Sequence, residues 1–259
     1  MDKLQNLLST LKELGCSGIK VSFEDEGALY NEIITMRNLT ANVGLELTVK
    51  IGGCEAKRDI IDCIDLNCDT IVAPMVESKF ALNKFLKSLE SCNYSKKKGF
   101  NLETIQSYNN IKELSDLFDD LDYITLGRHD FVKSLSKDSE HVDSEELYEI
   151  AEKLFTFVKN NHKNAKCYMG GNLSKNSINF IKKLIENNLL DAFESRYIIF
   201  NVHNIVDAKN LDKHIELAQL FEYEWLNLIR NRYLTQANKD FKRIETIKNK
   251  INNNNNTTI

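Results

Sequence analysis

The strongest constraint on the fold is an alternation. Short β-prone runs recur along the chain, each followed by a stretch with helical periodicity. LQNLLSTLKELG places Leu4, Leu7, Leu8, Leu11 and Leu14 on one helical stripe that stops at Gly15. GIKVSFEDEG then reads as a strand with a charged exit, and EIITMRNLTANVG as the next helix. LELTVKIGG, TIVAP, KKGFNLE, DYITLG, AKCYMGG and AFESRYIIF continue the series, separated by helical patterns. Short strands alternating with helices of ten or more residues specify βαβ units and a parallel sheet.

Seven strands can be read this way. The expected architecture is a (β/α)8-type TIM barrel with extra C-terminal helices. With seven strands and a chain that opens on a helix, either one strand is hidden in the pattern, or the barrel lacks its first strand or is completed by another segment. The 259 residues suit one such barrel. An open doubly wound sheet would carry a glycine-rich phosphate turn after its first strand. Here that position reads FEDEG, whose carboxylates repel phosphate. The expected organisation is a barrel over residues 1–207 and a helical extension over 208–250, packing on the barrel or on a neighbouring subunit. A disordered Asn-rich tail over 251–259 follows.

A net charge of −4 speaks against nucleic acid as a partner. No apolar run approaches the ~20 residues that cross a bilayer, so no membrane is expected. The six cysteines form no CxxC pair and follow no signal peptide, which is the pattern of reduced packing thiols in a cytoplasmic protein.

In an α/β barrel the active site forms at the C-terminal ends of the strands. Those ends carry Lys20, Glu24, Asp25 and Glu26 on the first strand, then Glu46 and Lys50, Glu77, and Asn101 with Glu103. Arg128 and Asp130 follow the fifth strand, Asn172 the sixth, and Glu194 with Arg196 the seventh. An unpaired buried charge costs several kcal/mol, so charge at nearly every exit points to a shared, mutually compensated polar site. Any one of them alone reads equally well as a solvated strand end. Glu103 and Asp130 form the strongest pair, because two carboxylates on successive strand ends can hold a hard divalent ion. Gly52 and Gly53 offer backbone N–H groups to an anion at a helix start. His129 is equally able to face the site or turn from it, and His141, His162, His203 and His214 read as surface or packing residues.

VKIGG, IVAPMVES, NLET and TLGRHD occur in that order at the spacing of consecutive βα units. The set resembles the HpcH/HpaI aldolase and citrate lyase β-subunit superfamily of pyruvate/phosphoenolpyruvate-type barrels. FEDEG is similar, more loosely, to a citrate-lyase-like D-L-E-D-A exit. The resemblance implies Mg²⁺ or Mn²⁺ at Glu103 and Asp130, and a metal-dependent carbon–carbon lyase or aldolase. It would act through a metal-bound enolate of a pyruvate- or phosphoenolpyruvate-like acid. Lys50 stands where that family has a substrate arginine, which keeps the charge and loses the bidentate fork. The family's histidine base has no counterpart at Glu24-Asp25-Glu26. Arg128 is the expected substitute for the guanidinium, and Glu24 or Glu77 for the base. Lys20, Gly52, Gly53, Asn101, Asn172 and Arg196 are the expected substrate contacts. The substrate is expected to be a small oxo-acid or a phosphorylated acid. Enolpyruvyl or phosphoryl chemistry on a phosphorylated acid or sugar acid is the alternative activity, and a barrel that has lost catalysis and serves as a binding subunit is the non-enzymatic one. Helix exchange in such barrels implies a homo-oligomer.

Overall fold

The computed structural model describes residues 1–205 and 210–255. The chain opens on α1 (Asp2–Glu13) and runs through β1 (Cys16–Ser22), α2 (Tyr30–Val43), β2 (Glu46–Lys50), α3 (Lys57–Asp65) and β3 (Thr70–Ala73). Next come α4 (Lys79–Ser91), β4 (Lys97–Leu102), the short α5 (Ile105–Asn109) and α6 (Ile111–Leu114), and β5 (Tyr123–Gly127). The chain then forms α7 (Arg128–Ser134), α8 (Glu145–Asn161), β6 (Lys166–Gly170), α9 (Ile178–Glu186), β7 (Ala192–Glu194), β8 (Ile198–Asn201) and α10 (Asp212–Asn255).

The eight strands close into a barrel in sequence order. β1 to β7 pair in parallel, and β8 is antiparallel to both β7 and β1. AFESRYIIF, which reads as one strand, is therefore a hairpin. Ser195 makes its turn: its hydroxyl accepts the Ile198 N–H at 3.1 Å, and its own N–H donates to the Ile198 carbonyl. A bulge between Cys16 and Gly18 fits β8 onto β1. The strand missing from the sequence count is thus supplied at the end of the barrel rather than at its start. The hairpin also leaves Arg196 at the C-terminal end of β7, on the side where an active site would lie.

Alternation along the strands separates two faces. Ile19, Val21, Leu47, Val49, Ile71, Phe100, Leu102, Ile124, Leu126, Cys167, Met169 and Phe193 belong to the buried apolar core. Positions of the other parity are mostly polar: Lys20, Thr48, Lys50, Asn101, Thr125 and Glu194. Tyr123 and Tyr168 stack at a centroid distance of 4.2 Å among them. Gly99 makes room for that pair, since a Cβ there would meet the Tyr123 ring at 2.8 Å. Leu4, Leu8 and Leu11 bury the α1 stripe, and Leu147, Ala151, Leu154, Phe155 and Val158 that of α8. Ser78, Thr104 and Ser144 cap α4, α5 and α8 through their hydroxyls.

α10 packs on the barrel through its first half: Phe221 and Trp225 lie against Tyr197, and His214 against Phe200. Leu217 and Leu228, of the same stripe, are partly buried. From Asn231 onward its described side chains are exposed. The helix continues through Asn255, so residues 251–255 are helical where a disordered tail was expected. The rest of that tail, and the expected 207/208 boundary, lie outside the described residues. No helix among the described residues is long and apolar enough to cross a membrane.

Candidate active site

A cavity of about 620 Å³ opens at the C-terminal ends of the strands. Its floor is Lys20 of β1, Lys50 of β2, Asn101 of β4, Thr125 of β5 and Glu194 of β7. Ser22, Asp25 and Glu26 from the β1 exit, Glu103 after β4, and His129, Asp130 and Lys133 of α7 form its sides. Gly170, Gly171 and Asn172 after β6 and Arg196 in the β7–β8 turn complete the rim, with Gln219 and Glu222 of α10 across it.

Charge is compensated pair by pair. Lys20 is ion-paired with the buried Glu194, whose other oxygen accepts from the Thr125 hydroxyl at 3.5 Å. Lys50 lies 3.4 Å from Asp25, Lys133 3.7 Å from Asp130, and Arg196 3.8 Å from Glu222. Of these pairs Lys20–Glu194 is the buried one, and there the pairing is what lets both charges stay inside.

Glu103 is held from two sides: Oε1 accepts the Met75 N–H at 2.8 Å and Oε2 accepts from Asn101 Nδ2 at 3.1 Å. Met75 adopts φ 50°, a conformation unfavourable for its side chain, which presents that N–H. The AlaProMet exit of β3 thus supports Glu103 with backbone alone. Gly127 is needed here for space: a Cβ would approach Glu103 Oε2 to 2.9 Å. Burial pushes the Glu103 carboxyl up, against the opposing charges of Lys50 and Lys20. Beside it, Asn101 Oδ1 is buried without a hydrogen-bond partner.

These residues fit a hard divalent cation. Glu103 and Asp130 line one cavity, the donors are all oxygen, and the Asn101 oxygen beside Glu103 is buried without a partner. No cluster of three or more His, Cys, Asp or Glu side chains suited to a metal occurs among the described residues, which is unlike a closed structural site.

Five expected site residues lie outside the cavity lining. Arg128 is fully buried but faces away. It donates to the carbonyls of Val142, Gly170 and Gly171, to the Ser177 hydroxyl and to Asp143 Oδ1 at 2.5 Å, and stacks on Phe180. Its role is to bolt the start of α7 to the β6 exit. Gly171, at φ 86°, permits this contact, because a Cβ would come within 2.6 Å of the His129 nitrogen. Glu24 is exposed and lies over Gly52. Glu77 is exposed beyond the Met75 turn. The Gly52 N–H is taken by Asp59 Oδ2 at 2.7 Å, which removes it as an anion donor, and Gly53 is also away from the cavity. Lys20, Lys50, Asn101, Glu103, Asp130, Asn172 and Arg196 are brought together.

Glu26, Thr125, His129, Lys133, Gln219 and Glu222 are cavity residues that sequence reading did not assign. A helical face such as that of Gln219 and Glu222 gives no strand-end signal, whereas Glu26 stood in view beside Glu24 and only its direction was hidden.

No protein-family model and no curated protein sequence matches the chain. Solved structures do match. An HpcH/HpaI aldolase/citrate lyase family protein from Burkholderia cenocepacia J2315 aligns over 88% of this chain and 90% of its own, at TM-score 0.61 and 10% identity. The chain shares the fold of the HpcH/HpaI aldolases. The HpcH/HpaI aldolase of Desulfitobacterium hafniense DCB-2 covers 75% of this chain and 82% of its own, at TM-score 0.60 and 11% identity. The citrate synthase SbnG covers 85% and 89%, at 0.57 and 13%. The resemblance carried by the four HpcH/HpaI-like motifs therefore holds at the level of the fold.

Proposed function

We propose that this protein is a divalent-metal-dependent carbon–carbon lyase or aldolase acting on a pyruvate-like oxo-acid. The observation that carries the reading is the opening of Glu103 and Asp130 into one cavity at the barrel mouth, beside the unpartnered Asn101 oxygen. Glu103, Asp130 and Asn101 would hold Mg²⁺ or Mn²⁺, which when bound supplies Lewis acidity against the negative charge that develops as the bond breaks. Lys50, partly held by Asp25, and Arg196, loosely held by Glu222, can turn to the substrate carboxylate. Arg196 is the one arginine on the cavity among the described residues and takes the role first expected of Arg128. The fold shared with aldolase and citrate lyase family structures supports the same chemistry.

A phosphorylated substrate is less well served. Lys20 is committed to Glu194, the Gly52 N–H to Asp59, and six carboxylates line the cavity against four cationic side chains. One divalent ion would offset that excess, and a phosphate would deepen the deficit.

The test is metal-dependent deuteration of the pyruvate methyl group in D₂O, followed by proton NMR. Exchange that requires Mg²⁺ or Mn²⁺ and is lost in Glu103→Ala and Asp130→Ala supports the reading. Exchange indifferent to metal contradicts it. The exposed second half of α10, with Leu234, Phe241, Ile244 and Ile251 at heptad-like spacing, supports contact between two copies of the chain in a homo-oligomer.

A further inference from the structure

We propose that Glu26 is the acid–base residue of this site, a role resting on the lyase reading above. Each of the other carboxylates on the cavity has a partner or a ligand's place: Glu194, Asp25 and Glu222 sit beside cations, and Glu103 and Asp130 form the metal pair. Glu26 has only the Ser22 N–H, donated to Oε2 at 3.1 Å. One oxygen is thereby fixed, and Oε1 has no protein partner among the described residues.

The surroundings of Glu26 are unequal on its two sides. It lines the main cavity, and it also lines an adjoining crevice of about 60 Å³ whose other walls include Val21, Ile33, Met36 and Trp225. An apolar back and a wet front are the setting of a carboxyl that carries a proton at neutral pH. The charged and titratable groups around it are Asp25 in its own loop, Lys50 of β2, Arg196 and Tyr197 of the β7–β8 turn, Glu32 of α2 and Glu222 of α10. Glu32 is occupied by the Tyr233 hydroxyl and the Leu29 N–H. Burial pushes the Glu26 carboxyl up to about 7, with Arg196 and Lys50 opposing and Asp25 reinforcing.

The proton balance closes with this one group. In cleavage, ionised Glu26 takes the proton of the aldol hydroxyl, the carbon–carbon electron pair passes to the enolate, and the new carbonyl leaves. The same carboxyl then returns its proton to the enolate carbon, and the ketone re-forms. Deuteration of pyruvate is the second half run backwards.

Glu26→Gln, Glu26→Asp and His129→Gln are compared with the wild type in the deuteration assay with Mn²⁺, and Mn²⁺ binding is measured alongside. Glu26→Gln is expected to lower exchange by about 10²–10⁴-fold while binding Mn²⁺ as the wild type does, and Glu26→Asp to recover part of the rate. The wild-type rate is expected to rise with pH through about 7, as the base form appears, and Glu26→Gln to lack that limb. Unchanged exchange in Glu26→Gln, or a loss confined to His129→Gln, overturns the assignment while leaving the metal lyase reading intact. A wild type without metal-dependent exchange overturns both.

Discussion

Arg128 and Asp130 are two residues apart and face different tasks. α7 begins at Arg128, and two residues advance a helix by about 200°, so a guanidinium beside a cavity-lining carboxylate points elsewhere. Replacing Arg128 by Met would leave Asp143 and three carbonyls without their donor. A loss of about 3–5 kcal/mol in urea unfolding is expected, and a loss below about 1 kcal/mol would show the network to be dispensable. Glu26 gives a test of opposite sign. Its carboxyl rises from 4.5 unfolded to about 7 folded, so the neutral form is favoured by folding, and stability is lost as pH rises through 7. Glu26→Gln should therefore be more stable than wild type at pH 8, by roughly 1–3 kcal/mol, with the difference vanishing below about pH 4.5. Equal pH dependence of the two proteins in thermal melts would contradict the raised carboxyl. NLET and TLGRHD placed Glu103 and Asp130 just beyond β4 and β5, and both open onto the cavity, Glu103 directly after its strand and Asp130 from the first turn of α7. The directions of Glu24, Glu26, Glu77 and Arg128 were not legible, because a loop or helix start rotates side chains in ways that spacing does not encode.

At the scale of elements, periodicity recovered the parallel strands and the long helices, whose apolar stripes are buried as read. It missed the β7–β8 hairpin because the turn at Ser195–Arg196–Tyr197 contains no glycine, proline or asparagine to mark it. The helical pattern between KKGFNLE and DYITLG divides in the structure into α5, α6 and a 3-10 turn over Ser115–Asp120. α10 has two halves with different surroundings. The first buries Phe221 and Trp225 and brings Glu222 to the cavity. The second exposes Phe241 at 65% and Ile244 at 60%, more apolar surface than a solitary helix tolerates. Sedimentation velocity should find the chain associated and the double variant Phe241→Glu, Ile244→Glu monomeric, with its helical circular dichroism at room temperature unchanged. A monomeric wild type, or an associated double variant, would contradict self-association through α10.

Across the whole molecule, the barrel brings charges from distant parts of the sequence to one mouth and cancels most of them in pairs. What is left over is Glu103 and Glu26, and beside Glu103 the buried Asn101 oxygen also lacks a partner. That imbalance is the physical basis for assigning a cation to the site, and the fold alone does not supply it. The most direct test is titration of the protein with Mn²⁺, reading the free ion by electron paramagnetic resonance, for wild type, Glu103→Ala, Asp130→Ala and Lys133→Ala. The expected result is one site in the wild type, retained in Lys133→Ala. Each carboxylate variant should weaken it by more than the roughly 10–100-fold that loss of a supporting group costs. Binding that survives both carboxylate replacements, or a wild type that binds no Mn²⁺, would contradict the account.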